Sequence, residues 1–202
     1  MRKLALFAGA FALGIFLAQY LPGTAWQIPA AAGCFAAALL ALALPSPSRR
    51  RGLIALCALS MAFGWNWLYI RQVQAPLEAL AGTEQVVTMT LCDYAVPTDY
   101  GAKVTVRLAG YPLGRAVYYG DETLLDLRPG QTVMDLAALS SAARIRDDDI
   151  TTFTSKGVFL LAYNRGEPEV GEGSMDSPRW WPVRAGEALR RQISALWGQG
   201  DT

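Results

Sequence analysis

Three uncharged apolar runs, residues 4–21, 28–44 and 53–70, constrain this chain more than any other feature. Each holds 17 or 18 residues and as a helix would reach about 26–27 Å at 1.5 Å per residue. That approaches the roughly 30 Å hydrocarbon core of a bilayer. The runs are broken by Leu21-Pro22-Gly23 and by Pro45-Ser46-Pro47-Ser48, where proline removes a donor and blocks helix continuation. Residues 1–70 contain 48 apolar residues, five Lys or Arg and no acid. Residues 71–202 carry thirteen Lys or Arg against all seventeen acids, a net charge of −4. The pattern predicts a membrane anchor over residues 1–71, with the lipid bilayer as its partner, followed by a mildly acidic domain.

The cations set the expected orientation. Arg2 and Lys3 precede the first run and Arg49, Arg50 and Arg51 lie between the second and third, whereas residues 22–27 are uncharged. Positive loops stay in the cytoplasm, so three spans would leave the N-terminus cytoplasmic and carry residues 71–202 to the far side. Tyr20, Trp26, Trp65, Trp67 and Tyr69 fall at the expected outer boundary, where amphipathic rings prefer to sit. Two rival readings are weaker. A cleaved signal peptide, or a lipoprotein box at Ala31-Ala32-Gly33-Cys34, would have to tolerate Pro22, Pro29 and ten further apolar residues. Cys34 therefore reads as a thiol within the second run. Ala10-Gly14-Ala18 and Gly33-Ala37 have spacings that allow close helix packing.

After Pro76 the pattern changes to short alternating segments. Strands are expected at residues 85–92, 103–108, 115–119, 132–139 and 158–163, with turns at 96–101, 109–114 and 128–130 and a short helix at 149–156 ending at Gly157. In the second strand Val104, Val106 and Leu108 should point inward and Lys103, Thr105 and Arg107 outward. In the fourth, Met134, Leu136 and Ala138 read as the buried side. Five strands in about 80 residues predict a closed barrel of the OB type over residues 76–165. The whole would be an α+β membrane protein. A polar linker at 166–182 then leads to an amphipathic helix at 183–198, in which Ala185, Leu189, Ile193, Leu196 and Trp197 share an arc. The Trp180-Trp181 pair and the helix cations fit either a membrane surface or docking on a neighbouring protein segment.

The chain has no histidine, which excludes Ser-His-Asp triads, Cys-His pairs and His-ligated metals. Asp147-Asp148-Asp149 lacks the ligand spacing of an EF-hand. Ser140, Ser141 and Lys156 have no base-orienting partner in the sequence. No enzyme activity, cofactor or metal is expected. Cys92 is the one cysteine after the anchor, so that domain has no internal disulfide.

Taken in order, the three runs, the segment Val-Val-Thr-Met-Thr-Leu-Cys-Asp-Tyr-Ala-Val-Pro at 86–97, the turn Leu127-Arg128-Pro129-Gly130-Gln131 and Phe153-x-x-Lys156-Gly157-Val158 resemble the N-terminal region of ComEC-type competence proteins. These are the DNA-translocating membrane proteins of natural transformation. Gln131 stands where that family's turn usually has Asp, and the helix with Arg190-Arg191 resembles the one leading into the family's channel domain. The resemblance implies a bacterial plasma-membrane protein whose outer barrel contacts incoming DNA. It also implies a channel domain and other competence proteins as partners, and a chain truncated relative to the family. Nucleic-acid contact needs cations that follow phosphates and rings that stack on bases. Lys103, Arg107, Arg115, Lys156, Tyr100 and Tyr118 are the candidates, with Tyr94 and Tyr119 beside them. The other reading is a membrane-anchored scaffold whose barrel binds protein or the membrane surface. Clustering of Lys103, Arg107, Arg115 and Lys156 in a continuous groove with exposed tyrosines would favour the first; dispersed cations and an acidic or apolar exposed face would favour the second.

Overall fold

A computed structural model describes residues 2–43, 46–145, 148–173 and 177–198. The chain divides into two units, Met1–Gln72 and Val73–Thr202.

The first unit contains α1 (Arg2–Tyr20), α2 (Gln27–Leu40) with a 3-10 turn at Ala41–Ala43, and α3 (Ser46–Tyr69). Both α1 and α2 pack against α3. Their closeness depends on small residues. A Cβ built on Gly14 would stand 2.6 Å from the Ala62 Cβ, and Ala18, Ala38, Ala58 and Ala62 are buried. Polar side chains bridge the helices as well. The Gln27 amide donates to the Ala18 carbonyl at 3.2 Å, and Asn66 Nδ2 donates to Gln27 Oε1 at 3.2 Å, both buried. Ser60 Oγ donates to the Ala31 carbonyl at 2.9 Å. Trp26 meets Phe63 edge-on at 5.3 Å.

The three-span expectation is met in part. Among the described residues two helices, Lys3–Tyr20 and Arg49–Glu78, are long and apolar enough to cross a membrane. The middle run forms a shorter α-helix, because its 14 residues rise only about 21 Å before the backbone tightens at Ala41. Residue 44, the expected end of that run, lies outside the described residues. Only 11% of the apolar stretch in Lys3–Tyr20 and 22% of that in Arg49–Glu78 are buried within the protein, so most of that apolar surface is left uncovered by the chain itself.

A π-helical turn, Ile70–Gln74, precedes the short α4 (Ala75–Glu78), whose Leu77 is fully buried against Gly114. Among the described residues the second unit then builds nine strands: β1 (Glu84–Leu91), β2 (Val96–Thr98), β3 (Gly101–Leu108), β4 (Arg115–Gly120), β5 (Thr132–Ser141), β6 (Arg144–Ile145), β7 (Asp148–Asp149), β8 (Val158–Asn164) and β9 (Glu169–Gly171). Helix α5 (Trp181–Gly198) follows. Antiparallel pairings β1–β3, β3–β4, β5–β8 and β1–β5, with a parallel pairing β4–β8, close a five-stranded barrel in the order β1-β3-β4-β8-β5. Among the described residues closure leaves no long unpaired edge. Its interior holds Met89, Leu91, Val104, Val106, Ala116, Val133, Leu139 and Leu160. β3 alternates as expected, with Lys103, Thr105 and Arg107 outward.

The turn after β4 is closed from both sides. Arg128 N–H donates to Gln131 Oε1 at 2.6 Å, and Gln131 N–H donates to the Arg128 carbonyl at 3.1 Å, so glutamine supplies the acceptor that an aspartate would offer. Gly101 is required by geometry. Its φ is +124°, and a Cβ there would collide with the Gly120 carbonyl oxygen.

Four local expectations change. β5 buries the opposite face: Val133, Asp135, Ala137 and Leu139 point inward, while Met134 and Leu136 are exposed. Strand side chains alternate with period two, so a single misassigned position inverts the whole face. What tips the balance is a partner for Asp135: the Tyr118 hydroxyl donates to Asp135 Oδ2 at 2.7 Å in the core. The expected helix at 149–156 shrinks to a 3-10 turn, Thr154–Lys156, closed by Gly157 at φ +72°. Asp148 and Asp149 instead form β7, paired with β6; Arg146 and Asp147 lie outside the described residues. The turn at 96–101 contains β2, which pairs with β3. The linker contributes β9, which pairs with β5, and a 3-10 turn, Pro178–Trp180, that buries Trp180 and starts α5 two residues early.

Candidate nucleic-acid interface

The candidate cations converge on one face of the barrel. Alternation along β3 turns Lys103 and Arg107 outward. Arg115 opens β4 and is the register partner of Val158 at the start of β8. The 3-10 turn capped by Gly157 sets Lys156 two residues before Val158. A cavity of about 420 Å³ is lined by Lys103, Arg115 and Lys156, together with Tyr94 and Phe153. A second cavity of about 300 Å³ is lined by Arg107, Arg115 and Arg179. The two share Asp93, Thr105 and Arg115 and so adjoin. Five cations and one carboxylate line the pair, although residues 71–202 are net negative. Among the described residues none of the five makes an ion pair. The recorded ion pairs are those of Glu187 with Arg190 and Arg191. The Arg107 Nε is buried without a hydrogen-bond partner.

Two neighbouring groups feel this environment. Burial pushes the Cys92 thiol up to about 11, against the opposing pull of Arg115 and Arg179. The Arg191 guanidinium lies 5.8 Å from the centre of the Tyr94 ring, within cation–π range.

The tyrosine candidates do not join the cations. Tyr118 has no exposed surface; it faces the barrel interior and is bonded to Asp135, so it is unavailable for stacking on a base. Burial and that hydrogen bond hold its hydroxyl well above the usual tyrosine range. Tyr100 is 97% exposed but lines a different cavity, with Asp99, Asp121, Tyr119 and Tyr163, where two carboxylates disfavour a polyanion. Tyr119 and Tyr163 stack at 5.2 Å in that same cavity. Tyr94 and Phe153 line the larger cationic cavity, and the buried Trp180 lines the smaller. Arg179 is the residue the sequence reading missed. It lies in a stretch with no periodicity, and the usable signal was its neighbour Trp180, a large ring in a polar segment that had to be buried somewhere.

Asp148 and Asp149, from the acidic run, lie on β7. Among the described residues no group of three or more His, Cys, Asp or Glu is placed to hold a metal ion. Comparison of the chain with protein-family models, with curated proteins and with solved structures finds no match.

Proposed function

We propose that this chain is a membrane-anchored nucleic-acid-contacting module, equivalent to the N-terminal region of a ComEC-type DNA-uptake protein. The observation that carries the reading is the convergence of Lys103, Arg107, Arg115, Lys156 and Arg179 on two adjoining cavities in a domain of net charge −4. Phosphate binding is driven by release of counterions as cations replace them. A groove that gathers unpaired cations, with a ring at Tyr94 and another at Phe153, offers a single strand both a backbone track and stacking surfaces. The strand order supports an OB-type barrel, a fold whose second and third strands commonly bind oligonucleotides. Here those strands are β3 and β4, which supply Lys103, Arg107 and Arg115.

In this reading the first unit sits in the bacterial plasma membrane. The 3-10 turn after α2 brings that run to about 27 Å, enough for a third, short crossing. The N-terminus and Arg49–Arg51 are cytoplasmic by the positive-inside bias, and the barrel is extracytoplasmic. Its partners are DNA and a channel domain or other competence proteins. The test is fluorescence anisotropy of the full chain in detergent with a labelled single-stranded oligonucleotide at low salt. The wild type should bind, and Lys103→Glu with Arg115→Glu should abolish binding while leaving the circular dichroism unchanged. Absence of wild-type binding at low ionic strength would refute the proposal.

A further inference from the structure

Helix α5 is oriented the wrong way round for a helix of a soluble domain. At 100° per residue, Trp181, Leu189, Ile193 and Leu196 fall within an arc of about 120°. Arg184, Glu187, Arg190, Arg191 and Ser194 fill the opposite arc of about the same width. A helix at the surface of a globular domain turns its apolar arc inward. Here that arc is open: Trp181 and Leu196 are each 71% exposed, Leu189 58% and Ile193 48%. The contact with the barrel instead comes from the polar side, where Arg191 lies over the Tyr94 ring. Val183, in the first turn, lines the smaller cationic cavity. Glu187 is held by Arg190 and Arg191, at 3.2 Å each.

We infer that α5 lies along an anionic membrane surface, with Trp181, Leu189, Ile193 and Leu196 in the lipid interface. Charge and composition select lipid as the occupant. The helix carries Arg184, Arg190 and Arg191 against Glu187 alone, which complements anionic headgroups. Arg190 and Arg191 keep their side chains about 70% exposed, at 70% and 72%, beside an apolar arc that carries no charge. An exposed tryptophan at the helix start is the residue type that settles at the boundary between water and lipid. The inference builds on the proposed membrane anchoring, because it needs a bilayer within reach of the same chain.

The test uses the full chain with Cys34, Cys57 and Cys92 replaced by Ala. Single cysteines introduced by Ile193→Cys, Leu196→Cys or Arg190→Cys carry an environment-sensitive fluorophore. The protein is reconstituted into vesicles of equal parts phosphatidylcholine and phosphatidylglycerol, with and without brominated acyl chains. The expected result is blue-shifted emission and bromolipid quenching at positions 193 and 196, roughly twofold or more above that at position 190. Quenching should weaken in phosphatidylcholine alone. Emission at 193 and 196 typical of water, from chains that float with the vesicles, would overturn the inference and leave the anchoring intact. Blue-shifted emission without bromolipid quenching would mean that protein covers the face, and would overturn it equally. Failure of the chain to float with the vesicles would overturn both.

Discussion

Replacing Tyr118 by Phe removes one oxygen from the centre of the barrel and tests why β5 has the orientation it has. The Tyr118 ring has no exposed surface, and Asp135 is 2% exposed. The hydroxyl bonds Asp135 Oδ2 at 2.7 Å, while Asp135 Oδ1 has no hydrogen-bond partner. Phenylalanine keeps the apolar burial and takes away the carboxyl group's donor. A hydrogen bond to a charged group contributes about 1.5–3 kcal/mol, so the loss should be about 2 kcal/mol. In a domain of this size that lowers Tm by roughly 6–10 °C. The control is Tyr119→Phe, whose ring stacks on Tyr163 and whose change should cost less than about 0.5 kcal/mol. Urea unfolding of the full chain in detergent, followed by near-ultraviolet circular dichroism, reads both. A second check is alkaline stability. The hydroxyl pKa is raised in the folded state, so its contribution is intact below the unfolded value of about 10 and is lost as pH rises above it. Tyr118→Phe should remove that part of the loss. A Tyr118→Phe variant as stable as wild type would refute the reasoning, since Asp135 would then need no donor from β4.

Two further perturbations address the helical first unit and the cationic face. Gly14→Ala should destabilise the packing of α1 on α3 by about 1–3 kcal/mol, because its Cβ would stand 2.6 Å from that of Ala62; thermal unfolding in detergent reads the loss, and Gly9→Ala, with open space around it, serves as the neutral control. Cys92, with its thiol pushed up to about 11, should alkylate at pH 8 roughly a hundredfold more slowly than a thiol of pKa 9 in a chain with Cys34 and Cys57 replaced by Ala. The rate should climb until about pH 11 and recover on unfolding in urea.

Much of the barrel was legible because its strands carry their own signal. β3 alternates without exception from Lys103 to Leu108, and Gly114, Gly120 and Pro129-Gly130 punctuate the strands around it. β5 was legible as a strand but not by face. Met134 and Leu136 are more apolar than Asp135, and only a tyrosine contributed by β4 makes the buried carboxyl tolerable. β9 was invisible, since Glu169-Val170-Gly171 has no periodicity and is ordered by backbone pairing with β5. In the first unit, Gln27 read as a loop residue, yet it begins α2 and joins α1 to α3 through Ala18 and Asn66. The cationic face was half legible. Lys103, Arg107, Arg115 and Lys156 follow from strand alternation and the Gly157 turn, but Arg179 arrives through the burial of Trp180. The apolar arc of α5 could be drawn from the sequence; that its polar edge is the one facing the barrel could not.

The salt dependence of oligonucleotide binding tests the central claim most directly. If four or five of the groove cations each replace a counterion on a single strand, the slope of log K against log salt should be about −2.8 to −3.5. Affinity should then fall roughly 50- to 130-fold between about 50 and 200 mM salt. Arg115→Glu, at the junction of the two cavities, should flatten that slope by about one phosphate contact or more. A wild-type slope near zero, or one unchanged by Arg115→Glu, would contradict the assignment of this face to nucleic acid.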